Sequence, residues 1–377
     1  MKKVMLVFGT RPEAIKMCPL VNELKTRKKI ETVVCVTGQH RQMLDQVLTT
    51  FNVVPDFDLS IMKDGQTLFD ITTTILNRIE MVLEEQKPDV VLVHGDTSTA
   101  FVTALACYYC QIPVGHVEAG LRTYNIHSPY PEEFNRQAIS ILAQYNFAPT
   151  QLAAEQLIRE GKRPESIYIT GNTVIDAMQY TVVEDYSHPE LDWVGEDKLI
   201  FITAHRRENL GEPMHNMFKA IRRVLEEHLD CKAIYPIHMN PVIRKAAEDE
   251  LGGCDRIHII EPIEVIDCHN FEARCFLCLT DSGGIQEEVP AFGRPVLVMR
   301  DTTERPEGIA AGTLKLVGTE EESIYKNFKE LIEDRDSYKK MACSCNPYGD
   351  GFACKRIVDI LENGVYEPWK IKAGSLD

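Results

Sequence analysis

Short, largely apolar runs alternate with helix-patterned segments along the whole of this chain, and few folds accommodate that pattern. Val4 to Phe8, Thr32 to Thr37, Asp89 to Val93, Ile112 to Val117 and Tyr145 to Ala148 read as strands, with helices at Pro12 to Lys25, near Met43, at Thr97 to Tyr109 and at Asn135 to Gln144. After a polar stretch, Glu184 to Lys198, a second series begins: Leu199 to Thr203, Lys232 to Tyr235, Arg256 to Ile260, Cys275 to Leu279 and Pro295 to Met299. A strand that is apolar throughout is buried on both faces, which is the mark of a parallel sheet covered by helices on either side. A chain of 377 residues is also long for a single core. The expected fold is therefore α/β, with two Rossmann-like doubly wound domains. These are placed at 1–175 and 176–351, and a last helix at about 352–377 is expected to pack back on the first. Ligands of such sheets bind outside the carboxyl ends of the strands, so the ligand is expected between the domains.

A net charge of −16 disfavours nucleic acid and acidic membrane surfaces, which select basic patches. No apolar stretch approaches a membrane span, and the first run, ended by Arg11, is too short for a signal segment, so a cytoplasmic location is expected. Two pairs among the twelve cysteines, Cys107/Cys110 and Cys275/Cys278, have the spacing of metal pairs. Core filling is the better reading of both, because i and i+3 on a strand face opposite sides and cysteine is among the most buried residue types.

The strand ends carry the chemistry. Asp281-Ser282-Gly283-Gly284 lies between a strand and Ile285-Gln286-Glu287-Glu288-Val289, which reads as a helix start. Glycines there let backbone approach an anion, and helix N–H groups would face it, so a phosphate is expected. Glu288 is placed to reach ribose, whereas Glu287 reads as an ordinary helix-start acid. Gly9-Thr10-Arg11-Pro12-Glu13 is not a G-x-G-x-x-G turn, which disfavours a dinucleotide; it presents Arg11, with Lys16 a turn later. His94-Gly95-Asp96 and His116-Val117-Glu118 each end a strand with a histidine and an acid on one face. They suit acid–base work, N-capping by Asp96, or a metal site. Ser128 to Glu133 is a proline-stiffened loop running into a helix. Ala204-His205-Arg206-Arg207 gathers cations at a strand end, His238 ends the next strand, and Arg300 to Glu307 is dense in charge.

Taken together, FGTRPEAIK, VLVHGDTST, VGHVEAGLRT, SPYPEE, TGNTVIDA, AHRRENLGEP and TDSGGIQEE…LVMRDTTERPEGI resemble, in order and over nearly the whole chain, the non-hydrolysing UDP-N-acetylglucosamine 2-epimerases of bacteria. That resemblance implies a GT-B-like arrangement and no cofactor or metal. It places Arg11, Lys16, His205, Ser282, Gly283, Gly284, Glu288 and Arg305 on contacts to the nucleotide sugar. Asp96, Glu118 and Glu132 fall on catalytic acids, with His205 counted beside them. Gln39, Gln42, Arg206 and His238 fall on contacts to a second UDP-GlcNAc acting as an allosteric activator, and a homodimer is carried over. Two positions depart from the family: Gly65 stands where close relatives carry Arg, and Cys268 where an aromatic is usual near the uracil. The reaction implied is inversion at C2 through loss and re-addition of UDP. The alternatives are a hydrolysing epimerase, a GT-B glycosyltransferase, a metal-dependent hydrolase built on His94, Asp96, His116 and Glu118, and a non-enzymatic UDP-GlcNAc sensor.

Overall fold

A computed structural model describes residues 1–38, 41–63 and 65–371, without the side chains of Arg41 and Gln42. The chain forms two compact units, one of residues 1–180 with 348–370 and one of residues 181–347.

The first unit runs β1 (Lys2–Phe8), α1 (Arg11–Lys25), β2 (Ile30–Val36), α2 (Arg41–Thr50), β3 (Phe57–Asp58), α3 (Leu68–Gln86), β4 (Val90–His94), α4 (Ser98–Tyr109), β5 (Val114–Val117), α5 (Glu132–Leu142), β6 (Tyr145–Ala148), α6 (Gln151–Arg159), β7 (Ile167–Ile169) and α7 (Thr173–Thr181). Its described strands form one parallel sheet in the order β3-β2-β1-β4-β5-β6-β7. Met5 and Val7 of β1 share a core with Val91 and Val93 of β4, Ile75 and Ile79 of α3 and Val102 of α4. The intervening residues Val4, Leu6 and Phe8 are buried as well, which is why β1 reads as unbroken apolar sequence.

The second unit runs α8 (Pro189–Val194), β8 (Lys198–Thr203), α9 (Glu212–Glu227), β9 (Cys231–Pro236), α10 (Pro241–Leu251), β10 (Ile257–Ile260), α11 (Val265–Arg274), β11 (Leu277–Thr280), α12 (Ile285–Glu288), β12 (Val296–Val298), α13 (Pro306–Ala311), β13 (Leu314–Leu316), α14 (Glu321–Glu333) and α15 (Arg335–Ala342). Its parallel sheet has the order β10-β9-β8-β11-β12-β13. One face packs Ile200 and Ile202 against Met217, Ile221 and Val224 of α9; the other packs Leu199 and Phe201 against Phe271 and Ile285.

The last helix, α16 (Ala353–Asn363), belongs to the first unit. Buried Asp176 of α7 accepts from the N–H groups of Ala353 and Cys354 at 3.1 and 2.8 Å, so a carboxylate distant in sequence caps its N-terminus. At its other end Arg27 reaches Asp359 at 2.9 Å and Glu362 at 3.3 Å.

Three local expectations are corrected. Cys275 and Phe276 precede β11, because Cys275 N–H closes the end of α11 on Phe271 O. The helix after Ser282-Gly283-Gly284 is a single turn that passes at Val289–Phe292 into a 3₁₀ turn, since Pro290 has no N–H to continue it. The N-cap of α4 is Thr97, whose side chain accepts from Ala100 N–H, and not Asp96.

Candidate functional site

In each sheet the strand order reverses beside the first strand, between β1 and β4 and between β8 and β11. Loops leaving such a pair turn to opposite faces and open a crevice at the strand ends. Arg11 follows β1, Asp96 follows β4, His205 follows β8 and Asp281-Ser282-Gly283-Gly284 follows β11, so these residues stand at the two places.

In the first unit, α1 begins with a capping box: Thr10 accepts from Glu13 N–H, and Glu13 Oε2 accepts from Gly9 and Thr10 N–H at 3.0 and 2.8 Å. Glu13 Oε1 takes the Thr97 hydroxyl at 2.6 Å, tying the β1 loop to the β4 loop. Burial pushes the Glu13 carboxyl up, against these bonds. Gly9 has no room for a side chain, as a Cβ there would lie 1.8 Å from Thr37 Oγ1. Half-buried Arg11 is thereby fixed as the first residue of α1.

Lys16, one turn on, forms an ion pair with Glu118 at the end of β5. Glu118 has φ of +66°, a left-handed conformation that costs a non-glycine residue about 1 kcal/mol or more and persists where surroundings hold it. Here Lys16 and Asn172, whose Nδ2 donates at 2.7 Å, do the holding, with His94 Nε2 at 3.7 Å. Asp96 pairs with Arg136 of α5, and Asn135 Nδ2 donates to Asp96 O at 2.8 Å. Burial raises the Asp96 carboxyl; Arg136 opposes this, and the charges of Glu118 and Glu132 add to the rise. Asp96 is thus within electrostatic reach of both Glu118 and Glu132. Glu132 opens α5 half-buried, while its neighbour Glu133 is fully buried, accepts from Thr123 and Tyr124 N–H at 3.0 and 2.9 Å, and braces Arg136 at 3.3 Å.

Two histidines border this cluster. Burial brings His94 down to about 4, despite Glu118, and His116 down to about 3. His116 Nε2 lies 2.7 Å from Gly95 O. Among the described residues the donor atoms of His94, Asp96, His116 and Glu118 do not converge into a metal-ligating group. Both histidines are neutral at pH 7 when folded, whereas an unfolded histidine titrates near 6.5. The unfolded state therefore binds more protons between those values, and stability falls as pH drops through that window. Lowering pH from 7 to 5 is expected to cost about 2 kcal/mol per histidine. Chemical denaturation at both pH values should show His116→Gln reducing the wild-type loss by about that much; an unchanged loss would contradict it.

In the second unit, Asp281 is fully buried after β11 and accepts from His205 N–H at 3.0 Å, Arg206 N–H at 2.9 Å and Asn209 Nδ2 at 3.1 Å. It locks the β8 loop to the β11 loop and so places His205 and Arg206 beside Ser282. Burial lowers the His205 imidazole; Asp281 opposes this, and Arg206 and His238 lower it further. The exposed His238 ring stacks on His205 at 5.8 Å. Ser282 N–H donates to Thr280 Oγ1 at 2.9 Å, and Gln286 Nε2 to Ser282 O at 3.0 Å, which closes the turn. A Cβ on Gly283 would lie 2.8 Å from Glu304 Oε1, so this glycine supplies room beside a charged group rather than an unusual backbone.

Arg305 is buried and pairs with Glu287, itself only 1% exposed. The reading of Glu287 as an ordinary helix-start acid is therefore corrected: it holds a cation in the interior. Burial alone would raise Glu304, but Arg305, Arg300 and Arg206 outweigh it and bring the carboxyl down to about 2. Glu288 lies at the end of α12, 3.9 Å from His269 Nε2. Cys268 is half-buried, with its thiol on Glu272 Oε1 at 3.1 Å, and Gly65 has nothing within 4 Å of where a Cβ would stand. Gln39 lies outside the described residues, as does the side chain of Gln42 in α2. Sequence reasoning missed Glu13, Arg136, Asn172 and the role of Asp281. Arg136 had a signal, four residues after Glu132 on one helix face; Asn172 had none in its local pattern.

The sequence profile of a family described as UDP-N-acetylglucosamine 2-epimerase matches residues 22–362. The chain is 61% identical over 359 residues to the UDP-N-acetylglucosamine 2-epimerase of Bacillus subtilis strain 168, covering 95% of this chain and 94% of that one. Among solved structures it is similar to S. aureus MnaA with UDP (52% identity, TM-score 0.89, 99% of this chain and 100% of that one). It is also similar to the UDP-GlcNAc 2-epimerase of Neisseria meningitidis bound to UDP-GlcNAc (48% identity, TM-score 0.87, 95% and 99%). Among the described residues no helix is long and apolar enough to cross a membrane.

Proposed function

Because the chain belongs to the UDP-N-acetylglucosamine 2-epimerase family, we propose that it interconverts UDP-N-acetylglucosamine and UDP-N-acetylmannosamine without hydrolysis. The C2 proton is only weakly acidic, because its neighbour C1 is an acetal carbon. Cleavage of C1–O must therefore lead: the bonding pair leaves with UDP, positive charge develops at C1, and a carboxylate takes the C2 proton to leave 2-acetamidoglucal. Return of a proton to C2 and of UDP to C1 completes the cycle with no change of oxidation state. Inversion requires the proton to leave one face of C2 and arrive at the other, so more than one carrier is needed. The observation that carries this reading is the placing of Asp96, paired with Arg136, where the charges of Glu118 and Glu132 both act on it. Carboxylates so placed stabilise an oxocarbenium-like ring and move protons. Ser282, Gly283, Gly284, His205 and Arg305, with Arg11 and Lys16, are assigned to UDP, and Glu288 to its ribose. Relatives solved with UDP and with UDP-GlcNAc support the choice of ligand. A second UDP-GlcNAc at Gln39, Gln42, Arg206 and His238, acting as activator in a homodimer, belongs to the same proposal.

Proton NMR of UDP-GlcNAc with the pure protein in deuterated water tests the reaction. The expected result is a mixture of both UDP-sugars with deuterium at C2 and no free sugar. Turnover that leaves hydrogen at C2 rules out this chemistry, and accumulating free N-acetylmannosamine with UDP assigns a hydrolysing epimerase instead.

A further inference from the structure

Away from the three acids of the first unit, the second unit buries a group that the proposed reaction does not explain. His269 and Glu272 are three residues apart on α11 and so share a face of the helix, and Glu288 ends α12. One donor atom from each lies within 4.8 Å of the others. His269 and Glu272 are buried, at 2% and 0% exposure, and the Glu288 side chain is 13% exposed. Two carboxyls held this close inside a protein need either a compensating charge or a proton between them. Burial first, then the Glu288 charge and a hydrogen bond with Glu288, push the Glu272 carboxyl well above the usual range, and the Cys268 thiol works the other way. Among the described residues no N–H or hydroxyl group donates to Glu272 Oε2.

We propose that His269, Glu272 and Glu288 form a binding site for a divalent cation of the zinc class. A nitrogen and two carboxylate oxygens are a donor set that zinc accepts, at about 2 Å from each. Two ligands on one ion are therefore at most about 4 Å apart, and small side-chain rotations close the present spread. The ring of His269 is already oriented as a ligand would be: Nδ1 is held by Thr181 Oγ1 at 2.7 Å, and Nε2 is the nitrogen on the Glu288 side. Partly exposed Glu288 and half-buried Cys268 give the ion a way in from solvent. Because Glu288 is also the assigned ribose ligand, an ion there would take that carboxylate from UDP. This consequence rests on the functional reading, whereas metal binding does not.

The test uses the full chain, stripped by a chelator and titrated with zinc chloride in the absence of any nucleotide. One zinc per chain is expected by calorimetry, weakened at least tenfold in both Glu272→Gln and His269→Gln. Cobalt(II) in the wild type should show ligand-field bands of a nitrogen–oxygen donor set. Failure of the stripped wild type to bind zinc overturns the proposal and leaves the two carboxyls sharing a proton. Equal affinity in the variants, or a cobalt spectrum dominated by thiolate charge transfer, overturns it in favour of cysteines elsewhere. If a variant does not fold, the cobalt spectrum of the wild type decides.

Discussion

Replacing Asp96 with Asn is expected to lower kcat at least about a thousandfold, with KM changed less than tenfold. Asn keeps the shape of the side chain and an oxygen for Arg136, but it has no negative charge and can neither take up nor release a proton at neutral pH. The change falls on the carboxyl that senses both of the other acids. Proton exchange at C2 should fall with turnover, because both depend on the same cluster. Since burial already favours the uncharged form of Asp96, the variant should keep the wild-type circular dichroism and a similar unfolding midpoint. A well-folded variant with kcat within tenfold of wild type would remove Asp96 from the chemistry.

The second large effect is on stability. Glu287→Gln removes the charge opposite Arg305 in the interior, and breaking a buried pair from one side typically costs about 3–5 kcal/mol. The value at the low end, about 3 kcal/mol, is expected here, because Glu304 also lies close to Arg305. The double change Glu287→Gln with Arg305→Met should recover a large part of that loss, since no charge is then left without its partner. UDP affinity separates the pairing of Arg305 with Glu287 from its proposed contact with the nucleotide: the double variant should regain stability but not nucleotide binding. Urea denaturation beside UDP calorimetry reads both quantities. A single variant as stable as wild type would show that the pair contributes nothing to the fold.

The sequence showed the sheets where burial on both faces writes itself as continuous apolar residues, as in β1, β4 and β8. It hid β3, β7 and β13, which are two or three residues long at or near sheet edges and half-buried in part. The strand ends were legible for a related reason: a charged residue directly after a buried strand has few other places to go. Charges inside elements were not. Glu287 and Arg305 are 18 residues apart, and nothing in the local pattern marks either as buried. Asp281 was visible within its motif, but its hold on two backbone N–H groups across the sheet depends on β8 and β11 lying side by side. The alternative reading of Asp96 as a cap failed because Thr97, one residue later, has the extended backbone that a cap requires.

The return of α16 to the first unit has a consequence for the order in which the protein is made. Domains usually complete themselves on the ribosome in the order in which they are translated. Here residues 181–347 emerge in one piece, but the unit begun at Met1 waits for residues 348–370. Until then the surface that receives Ile357, Val358 and Leu361 is bare, and Asp176 has no helix end to cap. The later-begun unit can finish first, and the earlier one must remain unclosed for the length of an entire second sheet.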